Sequence, residues 1–149
     1  VVQQMSPGLL TPMIEQLREQ IAPKIVEATD GMKVEQGTIY FAPQGETHMV
    51  VDSWPEGTLR LLAREPVAGE RPSISLLFAS VAKAAGSNSL GVLLALDDED
   101  GSAGLRAMLA GGAYAIGRNG TDFTLNKGAV SQPVAGDAIF ANIMKLCSK

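Results

Sequence analysis

Four consecutive acids, Asp97, Asp98, Glu99 and Asp100, are the residues of this chain best placed by type and spacing to do chemistry. An apolar run, Leu90 to Leu96, leads into them, and Gly101 and a helical pattern follow. A strand, an acidic turn and a helix in that order put side chains at the carboxyl end of a strand, where open α/β sheets hold their ligands. Adjacent carboxylates repel one another unless a cation or a helix N-terminus intervenes, and a helix N-terminus does follow. The residue types alone leave two roles open: a carboxylate or divalent-cation site facing a cleft, or a solvated acidic loop that caps the next helix. A calcium loop does not fit, because Gly101 at the turn position puts Leu96 at the first ligand position. A metal site on Asp97, Asp98 and Asp100 needs ligands from elsewhere, and none can be pointed to, so no metal and no cofactor is expected.

His48 is the one histidine, so any Ser-His-Asp hydrolysis within this chain must use it as the base. It follows a Pro-Gln-Gly-Glu-Thr turn at the start of a strand, a setting that suits a structural hydrogen-bond donor. The nucleophile elbow Gly-x-Ser-x-Gly does not occur, nor does a Gly-x-x-x-x-Gly-Lys phosphate loop. Gly86-Ser87-Asn88-Ser89 reads as a helix stop, and Trp54 as a packing or contact residue in a hairpin loop. Cys147, the only cysteine, lacks an electropositive setting and reads as inert. A single cysteine also excludes a disulfide framework.

The elements that must position these residues follow from hydrophobic period and breakers. Val1-Val2 reads as the inside of a strand rather than the start of a protein. Thr11 and Pro12 suit the start of a helix in which Met13, Ile14, Leu17 and Ile21 recur at helical spacing. Lys24–Ala28 and Thr38–Ala42 read as strands. His48–Asp52 and Thr58–Ala63 flank a long hairpin loop, so the region reads as antiparallel and local. Ser73 caps a helix to about Ala85, which Gly86 stops. Leu90–Leu96 has no alternation and reads as a central strand buried on both faces. A helix from Ser102 to Ala110 and a parallel-type strand at Ala113–Ile116 come next. Arg118–Gly136 gives only weak signals, and Asp137 is placed to cap a last helix with Ile139, Ile143 and Leu146 inward. The expected fold is α/β: three layers with a mostly parallel sheet, helices on both faces, and an antiparallel hairpin insert. With 46% hydrophobic and 19% charged residues, one soluble domain over 1–149 is expected. A net charge of −4 without a basic stripe argues against nucleic acid, and no apolar run is long enough to span a bilayer.

Several blocks, in order, resemble the C-terminal catalytic domain of CheB-type chemotaxis protein-glutamate methylesterases. They are Val1-Val2-Gln3-Gln4-Met5, Ala28-Thr29-Asp30-Gly31, Gly37-Thr38-Ile39-Tyr40-Phe41-Ala42-Pro43 with His48, Arg71-Pro72-Ser73-Ile74-Ser75, and Gly91-Val92-Leu93-Leu94 with Asp100-Gly101-Ser102-Ala103-Gly104. The resemblance implies an α/β fold, hydrolysis of receptor glutamate methyl esters by a Ser-His-Asp triad, and a cytoplasmic location. It implies as partner a methyl-accepting chemotaxis receptor or related signalling protein, with a receiver domain upstream. It places Asp100 at the triad acid and Gln4 at the triad histidine. Met5, Asp97 and Asp98 fall beside them as binding positions. The family's serine turn and first strand lie upstream of the first matching block, so this chain is expected to lack both. The expected consequences are no hydrolysis by this chain alone, an exposed sheet edge beside Val1-Val2, and either a homodimer there or low stability. The competing expectation is a module that binds a receptor or partner without catalysis.

Overall fold

A computed structural model describes residues 1–94, 99–119, 122–127 and 130–148. Its first helix, α1 (Leu10–Gln20), starts at Leu10, not at a capping Thr11; the residue before it, Leu9, makes no side-chain cap. Burial decides the start: Leu10 and Ile14 pack with Ile25 and Phe41 in one apolar cluster, and a helix beginning at Thr11 would leave Leu10 out of it. Strand β1 (Lys24–Glu27) and strand β2 (Thr38–Phe41) pair in parallel, Ile25 opposite Ile39. The parallel pair and the antiparallel hairpin that follows it are both as the sequence predicts. The antiparallel part is confined to β3 (His48–Val51) and β4 (Leu59–Leu62), with Val50 opposite Arg60. Their loop is closed by Asp52, whose Oδ1 accepts from Thr58 N–H at 3.0 Å and from Ser53 Oγ–H at 3.1 Å. Gly57 must be glycine there, since a Cβ would stand 2.6 Å from the Ser53 carbonyl oxygen.

Helix α2 (Ile74–Ala85) opens at Ser73, whose Oγ accepts the Leu76 amide, and closes at Gly86, as its sequence predicts. It packs on β3, where Ser80 Oγ accepts the Val51 amide at 3.0 Å, and against α3 (Glu99–Ala110). Gly104 permits the close helix crossing: a Cβ there would meet Ser75 Cα at 2.9 Å. Strand β5 (Leu90–Leu93) pairs in parallel with β6 (Tyr114–Asn119), Val92 opposite Ile116. Met108, Ala82 and Ala113 fill the space between α2, α3 and the start of β6.

The α/β class holds, and the sheets are mixed. Beyond β6 the chain adds β7 (Asp122–Lys127) and β8 (Val130–Val134), both antiparallel, where the sequence gives little signal. Pro133 and several polar residues dilute the alternation there, and tertiary pairing overrides the weak local preference. The strand expected over Leu90–Leu96 ends at Leu93 and alternates in burial, with Gly91 and Leu93 inside and Leu94 57% exposed. Among the described residues β5 pairs with β6 alone and is therefore an edge rather than a centre. The last helix, α4 (Ile139–Cys147), is preceded by a single turn over Gly136–Ala138 that contains Asp137. Asp137 therefore does not cap α4. None of α4's residues is buried, so the expected inner stripe of Ile139, Ile143 and Leu146 is only partly covered. No described helix is long and apolar enough to cross a membrane.

Candidate functional site

Asp100 lies in the first turn of α3, which starts three residues before the Ser102 start expected from sequence. Its side chain is turned inward and only 3% exposed. Three donors converge on it from the N-terminus of α2. Ser73 Oγ–H donates to Oδ1 at 2.6 Å, Ser75 N–H to Oδ1 at 3.2 Å, and Ile74 N–H to Oδ2 at 2.5 Å. The Ser75 hydroxyl also donates to the Asp100 carbonyl oxygen. A carboxylate at this place is favoured twice, because unpaired amides at the start of one helix point at it while it stands in the first turn of another. A buried acid without such donors would be costly, and here the α2 N-terminus supplies them.

His48 is fully buried and connects to the same point. Its Nδ1 accepts the Ser73 amide at 3.0 Å, and its Nε2 lies 3.0 Å from the Glu65 carbonyl oxygen. An amide donating to Nδ1 leaves that nitrogen bare, so the ring proton sits on Nε2 and donates to Glu65. The structural role expected for His48 is the one it has, and the ring has no nitrogen left over for proton transfer.

Gln4 stands apart from this network. Val1 is bound alongside β2: its nitrogen donates to the Tyr40 carbonyl oxygen and its own carbonyl accepts the Ala42 amide, so it brackets Phe41 as a parallel strand would. The chain then runs through Gln3 and Gln4 along one side of a groove of about 430 Å³. Val92, Leu93 and Leu94 of the β5 edge form its other side, and Leu77 and Phe78 of α2 line it too. Gln4 Nε2 is buried and has no hydrogen-bond partner. Met5 is set differently. Its amide donates to Gln44 Oε1 at 3.3 Å, and its side chain packs on the Leu10, Ile14, Ile25 and Phe41 cluster. Asp97 and Asp98 lie outside the described residues. Among the described residues no three His, Cys, Asp or Glu side chains come together as a metal site would require.

The structure therefore brings Asp100, Ser73 and His48 together, and it puts Gln4 in the groove beside them, with Ile74 common to both: its amide binds Asp100, and the residue also lines the groove. Sequence reasoning assigned Ser73 only the capping role and gave Ser75 none. The signal was in reach, since both fall in the Arg71–Ser75 block, two and four residues beyond Arg71.

Comparison with known proteins bears on family and fold. A family model described as CheB methylesterase matches residues 1–127. A protein-glutamate methylesterase/protein-glutamine glutaminase from Rhizobium johnstonii is 39% identical, over 98% of this chain and 44% of its own length. A protein of the same description from Agrobacterium fabrum is 43% identical, over 80% of this chain and 34% of its own. The chain thus spans less than half the length of these relatives. Among solved structures, the CheB methylesterase catalytic domain of Thermotoga maritima superposes with a TM-score of 0.72 at 25% identity, covering 77% of this chain and 61% of that one.

Proposed function

The chain belongs to the CheB methylesterase family, and from that premise we propose that it is the greater part of a protein-glutamate methylesterase domain of chemotaxis-type signalling, with Asp100 as the acid of its triad. The observation that supports this best is the buried carboxylate itself, fixed at the junction of α2 and α3 by three donors and adjoining a groove. The triad this reading assumes also needs a serine nucleophile, and no serine is among the residues that line the groove. Val1–Gln4 and the β5 edge line that groove together, with apolar residues on both sides.

Ester hydrolysis by this route needs a base to take the serine proton and return it to the leaving methanol. Gln4 occupies the position at which the resemblance puts that base, and a carboxamide neither gains nor loses a proton near neutral pH. The reading therefore includes little or no hydrolysis with Gln4 in place. The relatives' double description adds a second acyl substrate, the glutamine side-chain amide, which releases ammonia rather than methanol.

A second reading is favoured by Gln4 specifically: a domain that keeps the scaffold and binds a chemotaxis receptor or related partner without turning it over. One experiment separates them. The longest natural polypeptide containing this chain is mixed with methylated receptor, and methanol, ammonia and binding are followed together. Release of either product supports the enzyme. Binding without release supports the second reading, and neither binding nor release overturns both.

A further inference from the structure

The buried polar side chains among the described residues are His48, Ser73 and Asp100, at 0%, 0% and 3% exposure. They are not scattered. They form a single hydrogen-bonded chain that runs from β3 through the start of α2 to the start of α3. We infer that His48 is a positioning residue for Asp100, acting through Ser73. The inference rests on the reading above in one respect, that the orientation of Asp100 matters to function.

The Ser73 residue faces both ways. Its amide is held by His48 Nδ1, while its hydroxyl serves Asp100 and accepts from Leu76 N–H at 3.2 Å. Fixing the amide fixes the peptide plane at the N-cap, and with it the directions of the hydroxyl and of the Ile74 and Ser75 amides that follow. His48 cannot turn to release Ser73 without also giving up the Glu65 carbonyl, and with His48 and Ser73 both fully buried no water stands in for the bond between them. On the carboxylate, three of about four acceptor positions are taken, two on Oδ1 and one on Oδ2. The carboxylate is locked in rotation, and its remaining lone pair on Oδ2 has one fixed direction. His48 thus sets that direction from two hydrogen bonds away.

The decisive feature is the Nδ1 lone pair rather than the bulk of the ring, and this separates positioning from packing. Asparagine at position 48 offers a carbonyl oxygen near the place of Nδ1. Glutamine, a closer match in volume, reaches toward the place of Nε2 instead. The test is NMR on the ¹⁵N-labelled 149-residue chain. In the unmodified protein the His48 ring is expected as the Nε2–H tautomer, with a through-hydrogen-bond coupling between the Ser73 amide nitrogen and Nδ1. His48→Asn is expected to leave the Ile74 and Ser75 amide protons in place. His48→Gln is expected to move both toward the positions they take in Asp100→Asn, which marks the uncoupled state. The other tautomer, no coupling, or equal shifts in the Asn and Gln variants would each overturn the inference. If neither variant folds, the coupling in the unmodified chain decides. Because no activity is read, failure here leaves the esterase reading standing, and failure of the esterase reading leaves this result standing.

Discussion

The Ser73 hydroxyl donates to Asp100 Oδ1 across 2.6 Å while its oxygen accepts the Leu76 amide, so one side chain both caps α2 and holds a carboxylate presented by α3. The two helices are joined there by hydrogen bonds as well as by the close approach at Gly104. Ser73→Ala removes the cap and one donor and is expected to cost about 2 kcal/mol. Asp100→Ala leaves a hydroxyl and two amides buried without an acceptor and is expected to cost about 3 kcal/mol. Because the residues share a bond, the double variant should fall short of the sum by about 1 kcal/mol. Urea unfolding of the three variants measures this, and strict additivity would count against the coupling.

Gly104→Ala tests the helix crossing. The added methyl would meet Ser75 Cα at 2.9 Å and Phe78 at a similar distance, and the first of these is backbone that cannot swing aside. At Gly101 the obstacle is the end of the Leu93 side chain, 2.5 Å away, which can change rotamer. Overpacking of this kind costs about 1–3 kcal/mol. Gly104→Ala is expected at the upper end and Gly101→Ala at the lower, by thermal or urea unfolding; the reverse order would mean that α2 moves more easily than Leu93 repacks.

Asp30 gives the chain one acid-sensitive surface tie. Its Oδ1 accepts the Leu61 amide at 2.9 Å and Arg60 Nε–H at 3.0 Å. The Leu61 bond first, and Arg60 second, hold its carboxyl below the ordinary value of 3.8. A lowered folded-state value means that the tie is fully present above the unfolded value and is lost as pH falls through the folded one. The stability gap between the natural chain and Asp30→Ala should therefore be flat above about pH 5 and close below about pH 4. A gap unchanged down to pH 2 would show that the carboxylate's charge contributes nothing.

What could be read in the sequence, and what could not, divides along physical lines. Helix α2 declares itself because its cap, apolar stripe and stop glycine agree, and the structure keeps all three at Ser73, Phe78 and Gly86. Helix α1 is displaced because a capping preference at Thr11 is weaker than the burial of Leu10. Strands β7 and β8 go unseen because antiparallel pairing with a neighbour, not local pattern, makes them strands. Leu90–Leu96 misleads because an unbroken apolar run signals cover on both faces, and Val92 and Leu94 border an open groove. The site divides in the same way. Asp100 and Gln4 are visible as positions in recognisable blocks. The bonds that hold Asp100 arise only when α2 and α3 meet, a contact between residues 25 or more apart in the chain.

Gln4→His is the substitution that bears most directly on function. Gln4 is half-buried at the groove with its Nε2 buried and unpartnered, and an imidazole there would supply a group able to accept a proton at neutral pH. General base catalysis contributes about 10²–10⁴-fold to such reactions. In the longest natural polypeptide that contains this chain, methanol release from methylated receptor is expected to be slow or absent with Gln4 and to rise by at least about 10²-fold with His. The rise should follow loss of the imidazolium proton, so the rate of the variant should climb between about pH 5.5 and 7.5 while the Gln4 protein shows no such step. A Gln4 protein that already matches the variant would mean that another group supplies the base and that the groove works differently. Equal inactivity in both, with receptor binding kept, would mean that restoring the base is not enough and would move the balance to a domain that acts by binding.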